Sequence, residues 1–232
     1  MKNILGNNFY QVVSFKHKLI FLTPPRCSTY SLKLFLDNNK IEMDEPIRPL
    51  STPFYHATLS EIIYSYDIDI NDLPHFKIIQ IVRNPYDRFI SSFQKQNEIF
   101  STKFNLEDFI YKVEKYKYLL PYSLNEFYLN FYQNEEFKIL QHNLNQHGGV
   151  RFFYEQNWWN NLNKKVYINY FKLEDINNNM SSLCNLLNIN KTNIYPVENK
   201  SFNHSLNLSL SEKDKIYNLF KKDFEMFNYE RI

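Results

Sequence analysis

Glycine is nearly absent from this chain, at 3 of 232 residues. There is accordingly no glycine-rich phosphate cradle, and no Gly-x-x-x-x-Gly-Lys-Ser/Thr pattern that would mark a nucleoside-triphosphate loop of the usual kind. Cysteine is scarcer still. Cys27 and Cys184 make neither a disulfide framework nor a metal site, and they fit a reducing compartment. No run approaches the roughly 18 apolar residues that span a bilayer, so no membrane insertion is expected. Residues 1–18 lack a continuous apolar core and a small-residue cleavage site, so no signal peptide and a soluble, cytoplasmic protein are expected. Charge of one sign is also missing. A formal net charge of +2 gives no general case for nucleic acid as a partner. Any affinity for phosphate-like groups must then come from placed residues. No internal repeat, metal-ligand spacing or domain boundary is visible, and residues 1–232 are expected to form one domain.

Aromatic and apolar residues are abundant, at 18% and 44%, which suffices for a sizeable core. The richness in Asn, Lys, Ile, Tyr and Phe is a compositional bias with no function attached to it. Along the chain, His17–Leu22 reads as a buried strand and Ser28–Asn38 as an amphipathic helix. Residues 41–58 are irregular, broken by Pro46, Pro49 and Pro53, and long enough to be a functional loop. A short helix from Thr58 to Tyr66 precedes the clearest strand, Lys77–Val82, which is apolar on almost every position. Asn84-Pro85 then opens a helix, with an N-cap, a proline at the first position and Asp87 in the first turn. Leu106–Tyr118, Ser123–Phe131 and Tyr154–Leu162 read as helices, Lys165–Tyr170 as a strand, and Ile176–Leu187 as a helix. Ser211–Phe227 reads as one terminal helix with Ile216, Leu219 and Phe220 inward. This alternation predicts an α/β fold, a three-layer sandwich around a central parallel sheet with additional helices.

Two strand-to-helix junctions carry the chemistry. The first runs Leu19-Ile20-Phe21-Leu22-Thr23-Pro24-Pro25-Arg26-Cys27-Ser28-Thr29-Tyr30-Ser31. A helix N-terminus there offers outward N–H groups and the positive end of a dipole, while hydroxyls and Arg26 add donors, so the turn suits an anion. By itself this is equally an ordinary polar turn. The second runs Ile81-Val82-Arg83-Asn84-Pro85-Tyr86-Asp87-Arg88-Phe89-Ile90-Ser91. Arg83 closes an apolar strand at the sheet edge, where open α/β sheets bind ligands, and a phosphate is the better guess for its partner. Arg88 reads as a structural pairing. Two such junctions suggest a ligand with two separated phosphate-like groups.

These residues resemble the sulfotransferases that use 3′-phosphoadenosine 5′-phosphosulfate (PAPS), especially their carbohydrate-acting branch. Pro25-Arg26-Cys27-Ser28-Thr29-Tyr30-Ser31 is similar to that family's Pro-Lys-x-Gly-Thr-Thr-Ser. Val82-Arg83-Asn84-Pro85-Tyr86-Asp87-Arg88, followed by Ser91, is similar to its Val-Arg-Asx-Pro-x-x-Arg and Ser. His56-Ala57-Thr58, the stretch 170–187, Asn199-Lys200-Ser201 and the stretch 216–229 also look like family segments. The resemblance implies a P-loop-like loop, Arg26, Cys27, Ser28, Thr29, Tyr30 and Ser31, holding the 5′-phosphosulfate. It implies Arg83 and Ser91 on the 3′-phosphate, with Lys200 closing over the nucleotide. The reaction implied moves a sulfuryl group from PAPS to a hydroxyl or amine of a small-molecule or oligosaccharide acceptor, most readily a saccharide. It leaves 3′-phosphoadenosine 5′-phosphate (PAP) and needs no metal. Three positions depart from the pattern: Arg26 for Lys, Ser28 for Gly and Tyr30 for a hydroxyl residue.

Such a transfer needs charge neutralised on the leaving oxygen, which falls to Arg26, and a base for the acceptor. His56 is the candidate base, because imidazole titrates near neutrality and the residue ends the proline-broken loop. An isolated histidine can equally be a satisfied polar residue. Glu42, Asp44 and Glu45 form a rival acidic cluster, which also reads as a solvated loop. His142, His147 and His204 have no supporting context. Of Trp158-Trp159, at least one belongs to the core, though the pair could stack on a sugar face. Two other functions compete: a small-molecule kinase with the same nucleotide architecture, and an inactive PAP- or polyanion-binding module in which Tyr30 crowds the loop. Nothing in the sequence sets an oligomeric state.

Overall fold

A computed structural model describes residues 11–48, 56–99, 104–117, 155–160, 162, 166–190, 194–196 and 207–231. These group into two compact units, one built from 1–82 with 159–199 and the other from 83–158 with 200–232.

The first unit holds the sheet. Its strands are β1 (Val13–Ser14), β2 (Leu19–Leu22), β3 (Lys77–Val82) and β4 (Ile168–Lys172), lying in that order across four positions. β2, β3 and β4 are parallel, with Leu22 opposite Gln80 and Gln80 opposite Tyr170. β1 runs antiparallel to β2, so the sheet is mostly rather than wholly parallel. Every residue of β2 is buried, as is β3 from Ile78 onward, the pattern of strands covered on both faces. Among the described residues, this unit holds the α-helices α1 (Thr29–Asn38), α2 (Leu59–Tyr66) and, later in the chain, Met180–Leu187. α1 buries Ser31, Leu32, Phe35 and Leu36, the spacing of one apolar stripe. α2 starts at a complete capping box: Thr58 accepts from the Glu61 N–H, and Glu61 Oε2 accepts from the Thr58 N–H at 2.7 Å.

The second unit contains α3 (Pro85–Ile99) and α4 (Leu106–Lys117). Numbering the Met180–Leu187 helix α5, the chain closes with α6 (Leu210–Leu219) and α7 (Lys221–Met226) in this second unit. Its core is aromatic: Phe89 meets Phe109 at 5.2 Å between ring centroids, and Tyr86 meets Phe224 edge-on at 4.8 Å.

Several boundaries differ from the sequence reading. The stretch 155–160 forms a 3-10 turn, Gln156–Trp159, rather than an α-helix. The strand expected at 165–170 lies at Ile168–Lys172, and α5 begins only at Met180, after a 3-10 turn at Leu173–Asp175. The terminal helix is broken at Phe220, which has φ −121° and ψ 28°. Ser123–Phe131 lies outside the described residues. Among the described residues no helix is long and apolar enough to cross a membrane.

Candidate functional site

The first junction lies in the first unit. β2 delivers the chain to Thr23, and residues 24–28 turn it into α1. Cys27 N–H bonds back to the Pro24 carbonyl at 3.2 Å, and the buried Cys27 Sγ lies 3.7 Å from the Pro25 carbonyl. The turn passes twice through the left-handed region, at Arg26 and at Ser28, each with φ 66°. Neither is a glycine. Such residues cost free energy and persist only where the surroundings dictate them. Ser28 is the N-cap of α1, yet its side chain makes no capping bond, and the first turn of α1 carries no acidic residue. α2, α3, α4, α6 and α7 all place an acid in their first turn. α5 shares the absence seen in α1, and the positive end of the α1 dipole has no acid of its own beside it. The buried Oγ1 of Thr29, at that end, has no hydrogen-bond partner among the described residues. Arg26, Ser28, Thr29 and Tyr30 are half-buried, while Ser31 faces the core.

Two side chains brace this turn from elsewhere in the same unit. Tyr195, packed on Phe35 at 5.6 Å, donates its hydroxyl to the Ser28 carbonyl at 3.4 Å. Burial keeps its phenol protonated, well above the ordinary tyrosine range. His56 lies at the other side: its Nδ1 is 2.7 Å from the Thr23 carbonyl, the residue just before the turn. A carbonyl can only accept, so Nδ1 carries the proton in this bond, and in the neutral ring Nε2 is the basic nitrogen. His56 is 6% exposed. The structure thus places His56 beside the first junction, whereas the sequence reading set it only at the end of the proline-broken loop, ahead of the second.

A cavity of about 230 Å³ runs along α1 beside the turn. Thr23 and Thr29 line it, with Phe21, Leu32 and Leu36 on its apolar wall and Lys33 and Asp37 at helical spacing. Glu42 lines it as well, and each of the three rival acids is engaged with another residue. Glu42 pairs with Lys16 at 2.9 Å, which holds its carboxyl below the usual range; Asp44 accepts from the Phe15 N–H at 2.6 Å; Glu45 accepts from Gln11. These carboxylates pin the β1 turn.

The second junction opens α3. Asn84 Oδ1 accepts from the Tyr86 N–H at 2.9 Å, the cap the Asn-Pro pair called for. Arg83 is half-buried and Ser91 is 1% exposed. The Ser92 hydroxyl donates to the Arg88 carbonyl at 2.9 Å within the helix. Arg88 itself is buried against Asp223, Nη1 to Oδ2 4.0 Å, the structural pairing expected for it. Sequence reasoning missed Gln156. Its Oε1 accepts from the Arg83 N–H at 2.7 Å and its Nε2 donates to the Arg83 carbonyl at 2.7 Å. A residue 73 positions away leaves no local signal. Trp159 is fully buried in the first unit, as a core residue should be. Lys200, His142, His147 and His204 lie outside the described residues.

Residues 55–230 match the model of a family described as the sulfotransferase family. That span contains His56 and the second junction; the first junction precedes it. No curated protein and no solved structure matches the chain.

Proposed function

The chain belongs to the sulfotransferase family, and on that premise we propose that it transfers the sulfuryl group of PAPS to a hydroxyl or amine of an acceptor, with residues 1–232 working as one sulfotransferase domain. The observation that carries the class is the family match across 55–230. The donor reading adds the two junctions. The turn 26–31 has what a 5′-phosphosulfate needs: a cation, hydroxyls and a helix N-terminus free of acid. PAPS enters here as a substrate, and PAP leaves as product.

In this reading the acceptor oxygen attacks sulfur in line, and the bond to the bridging phosphate oxygen breaks. Arg26, Cys27, Ser28, Thr29, Tyr30 and Ser31 hold the phosphosulfate, and Arg26 neutralises charge on the departing oxygen. Arginine is always protonated, so it stabilises that charge by hydrogen bonds and does not serve as proton donor. His56 takes the acceptor's proton on Nε2, since Nδ1 is committed to the Thr23 carbonyl. Arg83 and Ser91 receive the 3′-phosphate, with Lys200 closing over the nucleotide. The cavity beside Thr23 and Thr29, apolar on one wall and polar at its ends, supports a small acceptor such as a saccharide unit.

Incubation with PAPS and panels of saccharide, alcohol and amine acceptors tests the reading, with PAP release as the signal. Acceptor-dependent release that falls in Arg26→Ala and is largely kept in Arg26→Lys is the expected result. Magnesium-dependent ATP consumption would instead identify a kinase. PAP binding without turnover on any acceptor would identify an inactive binding module.

A further inference from the structure

Arg83 is held by a chain of buried polar groups within the second unit. The amide of Gln156 bonds both the N–H and the carbonyl of Arg83, each at 2.7 Å, as a neighbouring strand would. Gln156 is itself fully buried, so its geometry has no slack to solvent. Its own main-chain N–H donates to Asp223 Oδ2 at 2.8 Å, and its Nε2 lies 3.3 Å from the same oxygen. The Asn157 N–H donates to Asp223 Oδ1 at 3.2 Å. Asp223 sits in the first turn of α7, where its carboxylate also complements the helix dipole. Both its oxygens thus hold residues 156–157, Oδ2 also facing Arg88 at 4.0 Å, and Gln156 in turn orients Arg83.

We infer that Gln156 and Asp223 are positioning residues for the anion site, fixing the main chain of Arg83 so that its guanidinium meets the 3′-phosphate in one pose. The inference rests on the assignment of Arg83 made above. A side-chain amide that grips one residue on both its main-chain groups satisfies them and also fixes the orientation of that peptide. It sets the direction from which the side chain departs. Binding of a fixed phosphate is sensitive to that direction, because a charged fork gains from two aligned bonds and little from one. The C-terminal helix α7 thus contributes to nucleotide recognition without touching the nucleotide.

Calorimetric titration of wild type and Gln156→Met with PAP and with ADP separates positioning from packing. Methionine keeps the volume and removes both bonds to Arg83. PAP affinity should fall roughly tenfold, about the worth of one charge-assisted bond, while ADP affinity stays unchanged. Phe224→Leu, a core change in the same helix, should lower the melting temperature and leave the PAP-to-ADP ratio at the wild-type value. A wild-type preference for PAP that survives intact in Gln156→Met would overturn the positioning role alone. Equal binding of PAP and ADP by wild type would overturn the Arg83 assignment and this inference with it.

Discussion

Ser28 has φ 66° and ψ 32°, a conformation in which a Cβ crowds the following carbonyl. The family pattern carries glycine at this position, and the backbone explains that choice: a turn that leaves β2 and enters α1 within a few residues needs the left-handed region. Serine endures it here because the Tyr195 hydroxyl and the start of the helix pin its carbonyl. Ser28→Gly should therefore raise stability by about 0.5–1 kcal/mol, the relief of strain less the added freedom of the unfolded chain. Denaturant unfolding at constant m-value measures it; a loss of stability would mean that the serine side chain contributes contacts outweighing the strain. His56 makes a second prediction at this scale. His56→Ala should leave PAP affinity intact and lower kcat by about 10²–10⁴-fold, the usual worth of a general base. Melting curves must accompany it, since the Thr23 carbonyl loses its 2.7 Å partner. A normal kcat would place the base elsewhere. Both residues were visible in the sequence as types at positions. The bond that selects the His56 tautomer was not, because Thr23 is 33 residues away.

Elements were legible where the local signal and the tertiary outcome agree. β3, α1 and α2 lie within a residue of their expected bounds and α3 starts where expected, because apolar runs, capping residues and the Asn-Pro start all act locally. They fail to coincide where tertiary bonds intervene. Ile216, Leu219, Phe220 and Phe224 continue one inward stripe, and periodicity alone makes it a single helix. The break at Phe220 starts a new helix whose first turn presents Asp223 to the N–H groups of residues 156 and 157. That demand comes from another part of the chain. β1, a strand of two residues, was too short to register at all. The packing of α7 has a consequence for pH. Burial pushes the Asp223 carboxyl up from 3.8 to about 6, with Arg88 and the two N–H groups opposing the rise. Between these values the native state holds the proton more than the unfolded chain does, so this group's contribution to stability is fullest below 3.8 and is lost as pH rises through 6. Unfolding measured across that window should show a negative slope against pH that Asp223→Asn removes. An unchanged slope in the variant would show that Asp223 titrates alike in both states.

At the scale of the whole molecule, the class of fold and the family were readable before any coordinates, since strand–turn–helix alternation and the Val82–Arg88 motif are contiguous in the chain. The Tyr195 brace and the Gln156–Asp223 chain were not, because each joins segments far apart in sequence through hydrogen bonds, and the mixed sheet was not, because its antiparallel strand is two residues long. The central claim is that this protein recognises a 3′-phosphorylated adenine nucleotide as the carrier of a sulfuryl group. The most direct test is calorimetric titration of the wild-type protein with PAP and with ADP, which both carry two phosphates but place the second on the 3′ oxygen and on the 5′ chain respectively. PAP should bind tighter by about 1.5–3 kcal/mol, a factor of roughly 10–150, the worth of a charge-assisted contact. In Arg83→Ala the two affinities should converge. Equal affinity for PAP and ADP in the wild-type protein would contradict the account.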